Sequence, residues 1–253
     1  MKMIDTHCHL DFDAFDADRE EVVRCARHAG IESMLIPAVQ RDTWDNLIKL
    51  CKSSSNLYGA LGLHPLFIRQ HENKHIRDLE DYINQHQPVA VGEIGLDFYD
   101  RSKAERQTEI FELQLGVACD AQLPVILHVR KAHEEVLACL KKFNVKAGIV
   151  HAFNGSLQQA ERYLQYSFKF GFGGMLTYER STKLRKLASQ LPLETIVLET
   201  DSPDMTVEQH RGERNSPEYL RYCLQALAEI KSMDPEEVAK ITTSNAQEVL
   251  GIN

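Results

Sequence analysis

Short apolar, β-branched runs alternate with longer amphipathic stretches along the whole chain. The runs Met3–His9, Ser33–Val39, Leu57–Leu63, Val89–Gly95, Pro124–Val129, Gly148–Ala152, Lys169–Gly173 and Ile196–Thr200 predict eight strands. Each is nearly continuous in apolar character rather than alternating, the mark of strands buried on both faces. Helical periodicity fills the intervals at Asp18–Ala29, Arg41–Ser53, Ala104–Ala121 and Leu157–Gln165, with Asp16 placed to cap the first helix and Gly30 to end it. Two more helices, Pro217–Ile230 and Pro235–Leu250, follow the last strand, each opening on a first-turn proline. Successive strand starts are one βα unit apart, and eight such units in 253 residues predict an α/β fold, a (β/α)₈ TIM barrel with extra C-terminal helices. A doubly wound open sheet fits less well, because no GxGxxG follows the first strand. No Pro/Gly/Ser-rich linker divides the chain, so residues 1–253 read as a single domain.

Polar residues laid against these strands supply the chemistry. His7 and His9 end the first strand, and their spacing of two puts both on one face with Cys8 facing the other way. His64 follows the third strand, Glu93 lies late in the fourth, His128 late in the fifth, His151 late in the sixth, and Asp201 just past the eighth. Strand C-termini converge on one mouth of a parallel barrel, so residues nearly 200 positions apart are expected to meet there. Four imidazoles and two carboxylates (His7, His9, His128, His151, Glu93, Asp201) form a mixed nitrogen and oxygen set suited to divalent ions. Zn²⁺, Mn²⁺ and Fe²⁺ match it well, and Mg²⁺ alone less well given so many nitrogens. Six ligands exceed what one catalytic ion needs while keeping a position open for water. Two ions sharing Glu93 account for the number, with His7, His9 and Asp201 on one and His128 and His151 on the other. Such a pair generates a hydroxide and stabilises both attacking and leaving oxygens. Asp201 could also accept the proton of the nucleophilic water as general base. His64 is left over and is expected to contact substrate or leaving group. Any one of these residues alone is more often a hydrogen-bonded structural group. It is the joint placement of six of them, all at the same strand end, that carries the reading.

Composition sharpens this picture. Eleven histidines are present, and six (His28, His71, His75, His86, His133, His210) fall on expected helices or loops. The formal charge of -8 disfavours a broad footprint for duplex nucleic acid or an anionic membrane. No apolar run approaches the roughly 20 residues of a membrane span, and the N-terminus lacks a secretory signal pattern. Six scattered cysteines without a CxxC pair fit reduced thiols in a cytoplasmic protein, with Cys8 assigned to packing.

Ile4-Asp5-Thr6-His7-Cys8-His9, Gly62-Leu63-His64-Pro65, Val91-Gly92-Glu93-Ile94-Gly95-Leu96-Asp97 and Leu198-Glu199-Thr200-Asp201-Ser202-Pro203 together resemble the TatD family of metal-dependent hydrolases. Leu127-His128-Val129-Arg130, Gly155–Arg162 and Asp204-Met205 point to its YjjV-type branch. The resemblance runs in order over essentially the whole chain. It implies a TIM barrel, two divalent metal ions, hydrolysis of the kind described for deoxyribonucleases, and metal positions at the same six residues. Val129 and Asn154 depart from the family pattern, standing where serine is common, and both would lie near the mouth. Arg214-Asn215-Ser216-Pro217 resembles the family's Arg-Asn-x-Pro element, where Arg214 and Asn215 could meet a phosphate; a helix-capping role is the alternative for Asn215.

The leading reading is a cytoplasmic metal-dependent phosphodiesterase, a deoxyribonuclease acting at DNA ends or on short substrates. Arg130, Lys131 and Arg214 are near enough to the mouth to contact phosphate. The runner-up is hydrolysis of a C–N or carboxylic-ester bond (lactone, amide or cyclic imide) on the same barrel. A non-catalytic metal-retaining scaffold is the third, disfavoured by the complete ligand set. A monomer or weak oligomer is expected.

Overall fold

The computed structural model describes residues 1–252. Eight strands, β1 (Met3–Asp5), β2 (Ile31–Pro37), β3 (Leu57–Leu61), β4 (Ala90–Asp97), β5 (Val125–Arg130), β6 (Gly148–Val150), β7 (Phe168–Phe172) and β8 (Ile196–Leu198), form one sheet in sequence order. Every neighbouring pair is parallel. Helices α1 (Arg19–His28), α2 (Trp44–Lys52), α3 (Lys74–His86), α4 (Ala104–Asp120), α5 (His133–Leu140), α6 (Leu157–Leu164), α7 (Thr182–Gln190), α8 (Leu220–Lys231) and α9 (Pro235–Leu250) complete a (β/α)₈ barrel with an added C-terminal helix. Its seam closes just above β1 and β8. The Thr6 amide donates to the Leu198 carbonyl (3.0 Å), Asp201 to His7 (2.8 Å) and His9 to Ser202 (2.7 Å).

Most element boundaries lie within a few residues of those expected, and the differences have local causes. β1, β6 and β8 stop short of the apolar runs, so His7, His9 and His151 stand on the loops just above them. β4 runs on to Asp97, which puts Glu93 in mid-strand rather than late. Its ladder with β5 slips between Val91 and Ile94, and both of those side chains pack in the helix-facing core. Strict alternation would send Glu93 outward with Val91. The slipped register inserts Gly92 and Glu93 between them and turns Glu93 into the lumen. Gly92 permits this, because a Cβ there would lie 2.6 Å from the Ile126 Cβ. Asp16 does not cap α1; its carboxylate pairs with Arg19 at 2.5 Å, and Asp18 precedes the helix without a side-chain cap. Gly30 does end it, at φ 91°.

The lumen has two ends of opposite chemistry. At the floor, Ile4, Leu35, Ala60, Ala90, Ile126, Ile149 and Val197 pack against Ala246, Val249 and Leu250 of α9 and against Ile252. Asn245 ties α9 in place, donating to the carbonyls of Leu193 (2.8 Å) and Ile196 (2.7 Å). Two residues further along β5, β6 and β8 come His128, His151 and Glu199, so the strand period carries the lumen from apolar floor to polar mouth. Among the described residues no helix is long and apolar enough to cross a membrane.

Candidate metal centre

Seven side chains from six strands or strand-end loops meet at the mouth. Glu93 is central and 2% exposed. Its Oε2 lies 3.1 Å from His7 Nε2, and its Oε1 lies 3.2 Å from His128 Nδ1 and 3.4 Å from His64 Nε2. Asp201 faces the same space, with carboxylate oxygens 3.6 Å from His9 Nε2, 3.5 Å from His151 Nε2 and 3.8 Å from His7 Nε2. The Nε2 atoms of His7 and His9 are 3.3 Å apart, and the rings of His7 and His151 stack at 3.6 Å. Potential ligand atoms cluster as His7/His9/Asp201, His7/Glu93/His151 and His64/Glu93/His128. So many lone pairs aimed at one buried volume repel unless cations sit among them. Glu93 Oε1 has no aligned hydrogen-bond donor despite its burial, which is the signature of a missing positive partner. The residues present fit divalent metal.

The second ring nitrogens decide which imidazoles offer a lone pair. His128 Nε2 lies 3.1 Å from Asp97 Oδ2, leaving Nδ1 for the centre. His151 Nδ1 stands 3.0 Å from Glu199 Oε1 without hydrogen-bond alignment, and its Nε2 faces Asp201. A carboxylate behind a ligand histidine fixes its tautomer and raises its basicity. His64 is arranged differently. Its Nδ1 accepts the Leu66 amide at 3.2 Å, so in the neutral ring the proton resides on Nε2, on the Glu93 side but out of line for a hydrogen bond to it. Distance alone would group His64 with the ligands, but this tautomer makes it a hydrogen-bond donor at the mouth.

Burial and charge divide these groups. Burial outweighs the pull of Glu93 on His64 and drops its pKa to about 4, so the ring is neutral. Burial, reinforced by His151, likewise lowers His7. His151 moves the other way: burial opposes its charge, but Glu199 and Asp201 outweigh it and hold the ring protonated well above the usual range. His128 is also raised, Asp97 and Glu93 overcoming burial. Burial would raise Glu93, yet His64 and His7 keep it well below the usual carboxylate range. Asp201 is held at about 2, with burial outweighed mainly by His151. In the metal-free protein, the carboxylates around His128 and His151 raise their affinity for protons.

Above this cluster opens a cavity of about 760 Å³. Phe12, Leu66, Phe67, Met175, Leu184 and Met205 give it apolar walls, while Arg130, Arg180 and Lys183 bring cations. Among the described residues, eight non-glycine positions have positive φ. Gln87, Gln122, Ser167 and Ser232 lie within three residues of helix C-termini, where such a conformation is routine. The other four, Lys131, Ala152, Asp201 and Met205, all lie at the mouth, where strain of this kind marks functional loops.

Two expected substrate contacts are placed elsewhere. The Arg214 guanidinium pairs with Asp18 through both its terminal nitrogens, at 2.9 and 2.6 Å, and lies over the Phe15 ring. Asn215, 1% exposed, donates to the carbonyls of Thr200 (2.8 Å) and Asp204 (2.7 Å) and accepts from the Ser216 amide. Both brace the loop after β8 and neither lines the cavity; an arginine with a carboxylate at its fork has no free face for phosphate. Val129 and Asn154 do line it. Cys8 is fully buried with its thiol towards the Leu35 carbonyl. Sequence reasoning passed over Asp5, Asp97 and Glu199. Asp5 is fully buried and accepts from the amides of His7 (3.2 Å) and Thr200 (3.0 Å) and the Thr200 hydroxyl (2.6 Å), fastening two arms of the centre together. Glu199 was signalled by its spacing of two from Val197, the offset that also separates Ile126 from His128.

Residues 4–251 match the TatD related DNase family. The chain belongs to the TatD family. It is 37% identical to the metal-dependent hydrolase YjjV of Escherichia coli (strain K12), covering 99% of this chain and 98% of that one. It is 33% identical to the metal-dependent hydrolase YabD of Bacillus subtilis (strain 168), covering 99% of this chain and all (100%) of the relative. The crystal structure of YjjV, a TatD homologue, superposes with a TM-score of 0.95 over 99% of this chain and 98% of that one. As in these TatD relatives, the protein is a metal-dependent hydrolase on a TIM barrel. An engineered lactonase with organophosphate hydrolysis activity shares the fold alone, at a TM-score of 0.66 and 13% identity over 98% of this chain and 95% of that one.

Proposed function

We propose that the protein is a phosphodiesterase, a deoxyribonuclease acting on DNA ends or short strands, with two divalent ions held by His7, His9, Glu93, His128, His151 and Asp201. The observation that carries this reading is Glu93, whose two oxygens face different imidazole sets, His7 on one side and His64 with His128 on the other. A divalent pair at such a centre lowers the pKa of water and neutralises charge on the scissile group. The chain's own groups do the rest. Asp201, ionised down to about pH 2, accepts the proton from the attacking water and passes it to solvent, being too weak a base to keep it. His64, neutral with its proton on Nε2, donates to a developing negative oxygen on substrate or leaving group. Arg130 on the cavity wall holds a phosphoryl oxygen. Six free cysteines are in keeping with a cytoplasmic setting.

The apolar walls favour a second reading, hydrolysis of a lactone or other carboxylic ester with a greasy tail, or of an amide or cyclic imide. Profiling the protein loaded with Mn²⁺, Zn²⁺ or Mg²⁺ against a phosphodiester, a phosphomonoester, a lactone and an amide separates the two. Phosphodiester turnover, abolished by chelator and by Asp201→Asn, is the expected result. Turnover of the lactone or amide alone would transfer the assignment to C–O or C–N bonds.

A further inference from the structure

The inward face of β5 reads Ile126, His128, Arg130: floor, centre, rim. Tyr99, in the loop that follows β4, stands beside that rim and is 64% exposed. The Arg130 guanidinium lies 4.2 Å from the centroid of its ring, and Lys131 Nζ lies 4.6 Å from the same centroid. Consecutive residues leaving a strand normally project to opposite faces. Lys131 has φ 53°, and this left-handed turn brings it to the side that Arg130 already occupies.

Two features of this arrangement go beyond fastening a loop. A loop staple needs one cation, and the loop is already tied by the Tyr99 amide, which donates to Asp97 Oδ1 at 3.0 Å. Two cations on one ring also repel each other, and the one carboxylate within reach offsets their charge only in part. Asp97 Oδ2 is 3.8 Å from Arg130 Nη1 but engages His128 more closely, at 3.1 Å. Lys131 makes no ion pair among the described residues. An anion lodged against both heads relieves the repulsion and uses the strained turn.

We propose that Tyr99, Arg130 and Lys131 form a subsite for a second phosphate, the one flanking the scissile group of the substrate. This rests on the phosphodiesterase reading and names what that site prefers: a phosphodiester bearing a further phosphoryl group over a bare one. Tyr99 is a positioning residue that holds the two cationic heads, and Lys131 supplies the charge that discriminates. The subsite borders the centre through Asp97, which touches both Arg130 and His128, so one substrate can occupy both.

The test compares the dinucleotide thymidylyl-thymidine with its 5′-phosphorylated and 3′-phosphorylated forms, using metal-loaded wild type, Lys131→Met and Tyr99→Leu. Wild type is expected to prefer one phosphorylated form in kcat/KM. Each substitution should reduce that preference about tenfold, chiefly through KM. Calorimetric binding of the same three compounds to metal-free protein should show the same preference and its loss. A preference unaltered in both variants overturns the proposal, as does a wild type with none. If wild type cleaves no dinucleotide, the phosphodiesterase reading falls, and the binding series still decides the subsite: a Lys131-dependent preference for the phosphorylated form sustains it, and equal binding removes it.

Discussion

The floor and the mouth of the barrel are built on the same strands, two residues apart, and hold opposite chemistry. At the floor, Ile126 and Ile149 are wholly buried among aliphatic side chains and closed off by α9. At the mouth, His128 and His151 project into the same lumen but meet carboxylates, Asp97 behind one and Glu199 behind the other. The floor is indifferent to which apolar residue fills it, provided the volume is filled. The mouth depends on the orientation of individual lone pairs, and its strained backbone and shifted pKa values show what that demands. Stability and chemistry are thereby separated along one axis, which makes them separable by mutation.

The largest effect is expected at the mouth. Glu93→Gln should lower hydrolysis by about a thousandfold or more and reduce bound metal while leaving the circular dichroism spectrum intact. Elemental analysis checks it, and unchanged metal content would rule out the proposed bridging role of Glu93. The converse change is at the floor: Ile126→Ala should cost about 2–4 kcal/mol of unfolding free energy in a urea titration, with metal per folded molecule unaltered. Metal loss matching the stability loss would contradict the separation. His64→Ala sharpens the division within the mouth. Kcat should fall about a hundredfold while metal content holds, because its Nδ1 is committed to Leu66; loss of metal would make His64 a ligand instead.

The smallest effect is a pH dependence confined to the mouth. Burial raises the Asp5 carboxyl to about 7 despite its hydrogen bonds to Thr200 and His7. A carboxyl raised on folding contributes stability in full below its unfolded pKa, near 4, and loses it as pH rises through 7. Metal-free Asp5→Asn should therefore gain steadily on wild type as pH rises from 4 to 8, read by urea denaturation at each pH. A constant difference would show that Asp5 is not protonated in the fold. Ile126→Ala should show no comparable trend.

Much of the centre is legible because the period of a strand is fixed. His7 and His9 share a face by spacing alone, and His128 and His151 follow buried isoleucines by two. Glu93 is less straightforward. Its chemistry is plain from sequence, but its direction depends on a slipped register that Gly92 allows. Arg214 and Asn215 misled for a related reason. A motif names residue types, whereas the partner that claims Arg214 is Asp18, 196 positions away. Tyr99 and Lys131 carry no sequence signal as a pair, since only a left-handed turn brings them together.

The sequence by itself determined the eightfold βα rhythm, the barrel, the end of it that bears chemistry and the residue types gathered there, because hydrophobic period and strand polarity are local properties. The tertiary structure alone decided which nitrogen of each histidine faces the centre, which arginine is already paired with a carboxylate and which carboxylates stand behind the histidines. Those outcomes rest on contacts between groups far apart in the chain, whose distances and hydrogen-bond directions are set only once the barrel has closed.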